Sequence, residues 1–159
     1  MTPMMIRDAV RADAPAACEV MRRSISELCI ADHRNDPDVL RHWLANKTPE
    51  VFASWVALAG NSVLVAVVDG QIRAVGAVNG AGEITLNYVS PDVRFQGVSR
   101  SLLAALEARA AARGHDRCTL FSTETARRFY RDAGYVDTGP PDSKFGTASY
   151  PMAKRLARG

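Results

Sequence analysis

The residues with the clearest chemical purpose lie between Tyr88 and Leu103, where strand-like Tyr88-Val89-Ser90 runs through Pro91-Asp92-Val93-Arg94-Phe95-Gln96-Gly97 into Val98-Ser99-Arg100-Ser101 and the start of a helix. A helix N-terminus offers N–H donors without intrahelical partners and the positive end of a dipole, which together suit a phosphate. Gly97 lets the backbone approach a ligand oxygen, Ser99 sets a small hydroxyl near the cap, and Arg94 and Arg100 add charge suited to a pyrophosphate. Taken by itself, the spacing is equally consistent with a loop that turns into a surface helix carrying solvated arginines. Neither G-x-G-x-x-G nor G-x-x-x-x-G-K-S/T occurs, so a Rossmann turn and a P-loop are set aside.

A second stretch runs from Ser122 to Tyr135. Ala126, Phe129, Tyr130 and Ala133 share one face of a helix there. Phe129 reads as a core aromatic. Tyr130 differs, because a buried phenol needs a hydrogen-bond partner, and its hydroxyl is expected to face a cleft or a polar ligand. His33, after Asp32, is a candidate for lining an acceptor pocket, set against the commoner reading of a solvated loop histidine. Trp43 and Trp55 read as core or wall residues. Cys29 and Cys118 read as small buried hydrophobes, since no Cys-His pair is indicated.

The elements that must position these residues change period along the chain. Met4 to Ala9 reads as a first strand, and an apolar stripe through Ala17, Val20, Met21, Ile25 and Leu28 predicts a helix from about 13 to 30, started by Asp13. Asp36-Pro37 and Thr48-Pro49 open two further helices. From residue 62 the pattern is β: Ser62 to Val68, the turn Asp69-Gly70, Gln71 to Asn79, the turn Gly80-Ala81-Gly82, then Glu83 to Val89. A helix through Leu102, Leu103, Leu106 and Ala110 closes at Gly114. Strands at 118–121, 135–138 and 149–156 surround a helix at 123–133. Because no helices separate the strands of residues 62–90, the architecture is a mixed sheet with helices on its faces, not a parallel doubly wound one.

Composition sets the outer bounds. At 159 residues the chain has room for one domain, read here as residues 1–159, and at 47% hydrophobic and 23% charged residues it is ordinary globular material. Residues 1–80 carry 8 basic and 9 acidic side chains (net −1), and residues 81–159 carry 12 and 8 (net +4), which points to an anionic ligand in the second half. No apolar run approaches the ~20 residues of a membrane span, and Met1 to Arg7 lacks the pattern of a leader. Three cysteines without a C-x-x-C pair fit a reducing cytoplasm and give no metal site, and the scattered arginines do not suggest a nucleic-acid partner.

The two stretches together resemble the GNAT superfamily of N-acetyltransferases. Arg94-x-x-Gly97-x-Ser99 is similar to that family's coenzyme A pyrophosphate motif, Q/R-x-x-G-x-G/A, and Ala126-x-x-Phe129-Tyr130-x-x-x-Gly134-Tyr135 to its A-x-x-F-Y-x-x-x-G-F/Y motif. The likeness spans about residues 62–138 and leaves 30–60 unmatched. It departs from the family pattern at Ser99, Phe95 and Thr123, where Gly or Ala, Gly, and a cofactor-contacting Asn are commoner.

The resemblance implies an α/β (α+β) fold with a mixed, mostly antiparallel sheet, splayed central parallel strands and flanking helices. It implies acetyl-CoA as cosubstrate, no metal, and cofactor contacts from Tyr88, Val89, Arg94, Phe95, Gln96, Gly97, Val98, Ser99, Arg100, Thr123, Ala126 and Phe129. The reaction it implies is direct attack of a primary amine on the thioester, with Tyr130 protonating the leaving thiolate and the Val89 N–H as oxyanion donor. Glu83 is the candidate general base and water the alternative, since an alkyl ammonium of pKa near ~10.4 must lose a proton first. A small-molecule amine is the expected acceptor. A protein N-terminus or lysine, or a non-catalytic acyl-CoA sensor, are the alternatives, and a homodimer is compatible with the family.

Overall fold

The structure is a computed structural model that describes residues 4–144 and 146–157. Met1 to Pro3, part of the stretch read for a leader, lie outside the described residues. The sheet comprises β1 (Met4–Asp8), β2 (Ser62–Val68), β3 (Gln71–Val78), β4 (Glu83–Val89), β5 (Arg117–Ser122), β6 (Val136–Asp137), β7 (Asp142–Lys144) and β8 (Thr147–Arg155). The helices are α1 (Ala14–Leu28), α2 (Ile30–His33), α3 (Pro37–Leu44), α4 (Pro49–Ala57), α5 (Val98–Ala112) and α6 (Arg127–Asp132).

The strands run in the order β1-β2-β3-β4-β5-β8-β6, with β7 on β8. Every pairing is antiparallel except β4 with β5, which is parallel and lasts only for Glu83 opposite Thr119 and Ile84 opposite Leu120. Beyond Ile84 the two strands separate. The expected mixed, mostly antiparallel sheet with a splayed parallel pair is therefore the one observed. Two half-sheets, β1–β4 and β5–β8, meet at a two-residue seam.

Both faces are covered, which is why β2 is buried along nearly its whole length. On one face α1 and α4 pack Ala17, Val20, Met21 and Phe52 against Val63, Val65, Val75 and Leu86. On the other, α5 packs Leu102, Leu103 and Leu106 with Tyr130 and Tyr135 over Leu64, Ala66 and Leu120. Gly76 permits the close approach of α5: a Cβ there would stand 2.8 Å from Leu106 Cδ1. Between β3 and β4 the register shifts, pairing Ala77 with Leu86 but Val78 with Ile84. The additional residue, Thr85, is a bulge that resets the alternation beyond it. Ile84 thus packs in the α5 cluster while Leu86 packs in the α1 cluster.

Several expected boundaries move for identifiable reasons. The helix expected over 13–30 ends at Leu28, and the short α2 follows and is stopped by Arg34 and Asn35, both left-handed at φ +52° and +57°. Asp13 does not cap α1 with its side chain; its carboxylate accepts from the Val10 N–H and pairs with Arg7 at 2.8 Å. Asp36 and Thr48 cap as expected, accepting from Asp38 and Val39 N–H and from Val51 N–H. The helix expected over 123–133 is reduced to α6, because Thr123 Oγ1 holds the Ala126 N–H while Asp32 takes the N–H groups of Glu124 and Thr125. The strand expected over 149–156 starts at Thr147 and pairs with β7, a partner without strong periodicity.

Candidate functional site

The splay opens a cavity of about 330 Å³ lined by β4 from Ile84 to Val89, by Leu120 and Phe121 of β5, by Arg94, Phe95 and Ser99, and by Thr123, Ala126, Phe129 and Tyr130. Its edge is main chain. The Ser90 N–H donates to Arg73 O at 2.7 Å, so in the antiparallel ladder the pairs Val89–Ala74 and Asn87–Gly76 are the non-hydrogen-bonded ones. The N–H and C=O groups of Asn87 and Val89 therefore point away from β3, toward the side where β5 has already diverged. An extended ligand with amide groups can pair there as an added strand.

At the far end of the cavity α5 begins at Val98 behind Gly97, whose φ of +79° favours glycine and whose surroundings leave room for a ligand. No side chain caps α5, so the N–H groups of its first turn lack intrahelical partners. Arg94 and Arg100 form no ion pair among the described residues, leaving their charge for an anion. The Arg94 guanidinium lies 4.5 Å from the centre of the Phe95 ring, which is 89% exposed on a left-handed backbone at φ +67°. The loop is moored behind by Asp92, which pairs with Arg23 of α1 at 2.9 Å and Arg73 of β3 at 3.2 Å.

Tyr130 is buried, with its ring edge-on to Phe129 and Tyr135. Its hydroxyl accepts from Asn87 Nδ2 at 3.0 Å, leaving its own proton to be donated into the cavity. Burial pushes the phenol up to about 12 while the Asn87 bond pulls the other way, so it is protonated at neutral pH. Burial likewise pushes the Cys29 thiol, on the cavity wall, up to about 12, which makes it a poor nucleophile.

Of the expected cofactor contacts, Tyr88, Val89, Arg94, Phe95, Ser99, Thr123, Ala126 and Phe129 line the cavity with Tyr130. Gln96, Gly97, Val98 and Arg100 do not line it but belong to the loop and first turn at its end, and the Val98 side chain is in the core. Ser99 is the second helical residue and not the cap, which is Gly97. Glu83 is not brought to the cavity: it sits at the start of β4, where its carboxylate accepts from Asn79 Nδ2 at 3.5 Å, about four residues or ~13 Å along the strand from Asn87. His33 is neither solvated nor in a pocket wall: it is 1% exposed, with Nδ1 accepting from the Asn35 N–H and Nε2 against Ile25 O.

Two residues carried no signal in the motifs. Asn87 is one strand residue among seven, and only the register beyond the bulge turns it toward Tyr130. Asp32 is buried and receives the N–H of Glu124 at 2.7 Å, the N–H of Thr125 at 3.3 Å and the Thr125 hydroxyl, tying α2 to the turn before α6.

A second cavity, of about 250 Å³, adjoins the first through Tyr88, Phe121 and Thr123 and is otherwise walled by α3, by Asn46 and Lys47, and by Thr147 to Ser149 of β8. The region at 30–60 left unmatched by motifs thus builds one wall of it. Among the described residues no group of three or more His, Cys, Asp or Glu could hold a metal ion, and no helix is long and apolar enough to cross a membrane.

A family model described as an acetyltransferase (GNAT) domain matches residues 30–156. The chain belongs to the GNAT acetyltransferase family. Among solved structures, it is similar to a GCN5-related N-acetyltransferase from Rhodopseudomonas palustris, with 28% identity, 98% of each chain covered and a TM-score of 0.86. Two others share the fold: the PaiA N-acetyltransferase of Thermoplasma acidophilum, solved with coenzyme A (17% identity, 97% and 99% covered, TM-score 0.83), and YncA of Salmonella typhimurium, solved with acetyl-CoA (22%, 98% and 95%, 0.70). No curated protein sequence matches the chain. As a GNAT acetyltransferase the chain is an enzyme, and its splayed strands are the feature its motifs implied.

Proposed function

We propose that this chain transfers the acetyl group of acetyl-CoA to the primary amine of a small molecule. The observation that carries the reading is the Asn87–Tyr130 pair in the gap between β4 and β5, with a second cavity opening beside it. The cofactor side fits its ligand: outward main-chain groups of Asn87 and Val89 suit pantetheine amides, and the uncapped first turn of α5 with Arg94 and Arg100 suits a pyrophosphate. Two structures of the same fold contain coenzyme A or acetyl-CoA, which agrees with that fit.

Acetyl-CoA bound there supplies the thioester carbonyl that an acceptor amine attacks. The residues do the rest. The Val89 N–H, aimed into the gap, is placed to stabilise negative charge on the carbonyl oxygen. Tyr130 donates its proton to the sulfur as the C–S bond breaks, and the same burial that raises the phenol raises the basicity of a thiolate expelled beside it. The proton lost by the acceptor ammonium leaves through water, since Glu83 lies at the other end of β4. The acceptor cavity, small at about 250 Å³ and walled by α3 and β8, favours a small molecule over a polypeptide.

The test is coenzyme A release from acetyl-CoA by the purified protein with pooled amines, amino acids and peptides. Release with small primary amines is expected. Release with peptides alone would move the reading to a protein acetyltransferase, and tight acetyl-CoA binding without release to any acceptor would leave a sensor.

A further inference from the structure

The wall of the second cavity includes a positive charge that no carboxylate among the described residues neutralises. Lys47 is 6% exposed. Its ammonium donates to Asn46 Oδ1 at 2.6 Å and Trp43 O at 3.4 Å, both uncharged acceptors, and lies 6.0 and 5.8 Å from the ring centres of Trp55 and Tyr88. Among the described residues no carboxylate forms an ion pair with it. An ammonium has three N–H donors, and these contacts use two.

The bond to Trp43 O caps the last turn of α3, a service lysines often perform. A capping lysine does so from the surface with its head in water, however, and burial adds nothing to the cap while stripping the charge of solvent. Burial does fix the charge in the wall of a cavity. No Asp or Glu lines that cavity among the described residues; apart from Lys47 its polar walls are His42, Asn46, Tyr88, Ser122, Thr123, Thr147 and Ser149. A desolvated cation facing a polar cavity without an acid is the arrangement that receives an anion, and an acceptor carrying several positive charges would be repelled there.

We propose that Lys47 anchors the carboxylate of the acceptor, so that the substrate is an amine bearing its own carboxylate: an amino acid or a short amino-carboxylate. The inference rests on the acetyltransferase reading above. It places the carboxylate at Lys47 and the amine at the Tyr88–Phe121 seam, where the two cavities meet.

The experiment uses the whole chain at pH 7 with saturating acetyl-CoA and follows coenzyme A release from amino acids, each paired with its amide and its decarboxylated amine. The acids are expected to exceed their partners in kcat/KM by roughly tenfold or more, the scale of a hydrogen bond to a charged group, with the difference mainly in KM. Lys47→Met is expected to bring that ratio close to one. Should this variant fail to fold, the wild-type protein decides: short alkanoates should compete with the acceptor and their amides should not. Equal use of acids and amides, or no competition by alkanoates, overturns the proposal while leaving the acetyltransferase standing. Failure of every amine, with acetyl-CoA bound, overturns both and is recognised by the absence of any release.

Discussion

The two cavities are built from different materials. The cofactor side is made largely of main chain: the free edge of β4, the first turn of α5 and the turn before α6, all within residues 83–130. The acceptor side is made of side chains from α3 and Lys47 and from β8, about a hundred residues further along the sequence. Main-chain recognition needs short, regularly spaced permissive residues such as Gly97, and it suits a ligand that does not change. Side-chain recognition can be altered one residue at a time without disturbing the sheet. On the proposed reading, specificity in this chain resides in side chains, with a constant donor held by backbone and the acceptor read by residues that can be substituted singly.

Four variants test this contrast. Tyr130→Phe acts in the first cavity and removes the proton donor while keeping the ring; turnover should fall by roughly 10²-fold or more, with acetyl-CoA binding retained by calorimetry. Unchanged turnover would remove Tyr130 from the reaction. On the acceptor side, burial lowers the Lys47 ammonium to about 8. Between that value and its unfolded value near 10.5 the unfolded chain holds the proton and the folded one does not, so wild-type stability rises with pH across this window. Lys47→Met should be the more stable protein at pH 7, and urea unfolding should show its advantage shrinking by on the order of 3 kcal/mol by pH 10.5. A constant difference would show that the charge is not the cost.

Asp32→Ala tests whether the two sides share a scaffold. Three donors lose their acceptor, a penalty of about 2 kcal/mol, and the Tm should drop by roughly 4–8 °C while KM rises for both substrates. A rise confined to the acceptor would mean that the turn before α6 does not need α2. The smallest change belongs to the cofactor side alone. Gly97→Ala places a Cβ at φ +79°, at a cost of about 1–2 kcal/mol, and should raise KM for acetyl-CoA by roughly tenfold while leaving preference among acceptors intact.

The same contrast explains what could be read from the sequence. Turn residues and β-branched runs announced β2, β3 and β4 nearly to the residue, and Pro-led caps announced the starts of α3 and α4, because each is fixed by local chemistry. The donor loop was legible for the same reason: Arg94, Gly97 and the uncapped first turn are neighbours. The helix before Ala133 was overestimated because its first turn is taken by Asp32, a partner 92 residues away. Asn87 was invisible because its direction depends on the Thr85 bulge, a register shift with no composition signal. Glu83 carried the expected residue type at the expected strand, but its distance from Tyr130 is set by how far along β4 the strands part. Lys47 drew no reading from the sequence, because its burial beside Trp55 and Tyr88 is a product of the packing.

The two-residue seam between β4 and β5 has a consequence for how the protein opens. Four strands on one side and four on the other are joined there by a minimal ladder, while the apolar cluster of Leu64, Leu106, Leu120 and Met152 spans the split, so the ladder is the weak point of an otherwise shared core. Amides beside the seam should exchange with solvent faster than those of the fully paired strands on either side. A cosubstrate that pairs with the free edge of β4 would fill the place of a missing strand and slow that exchange. Occupancy by the donor then becomes part of the protein's own architecture.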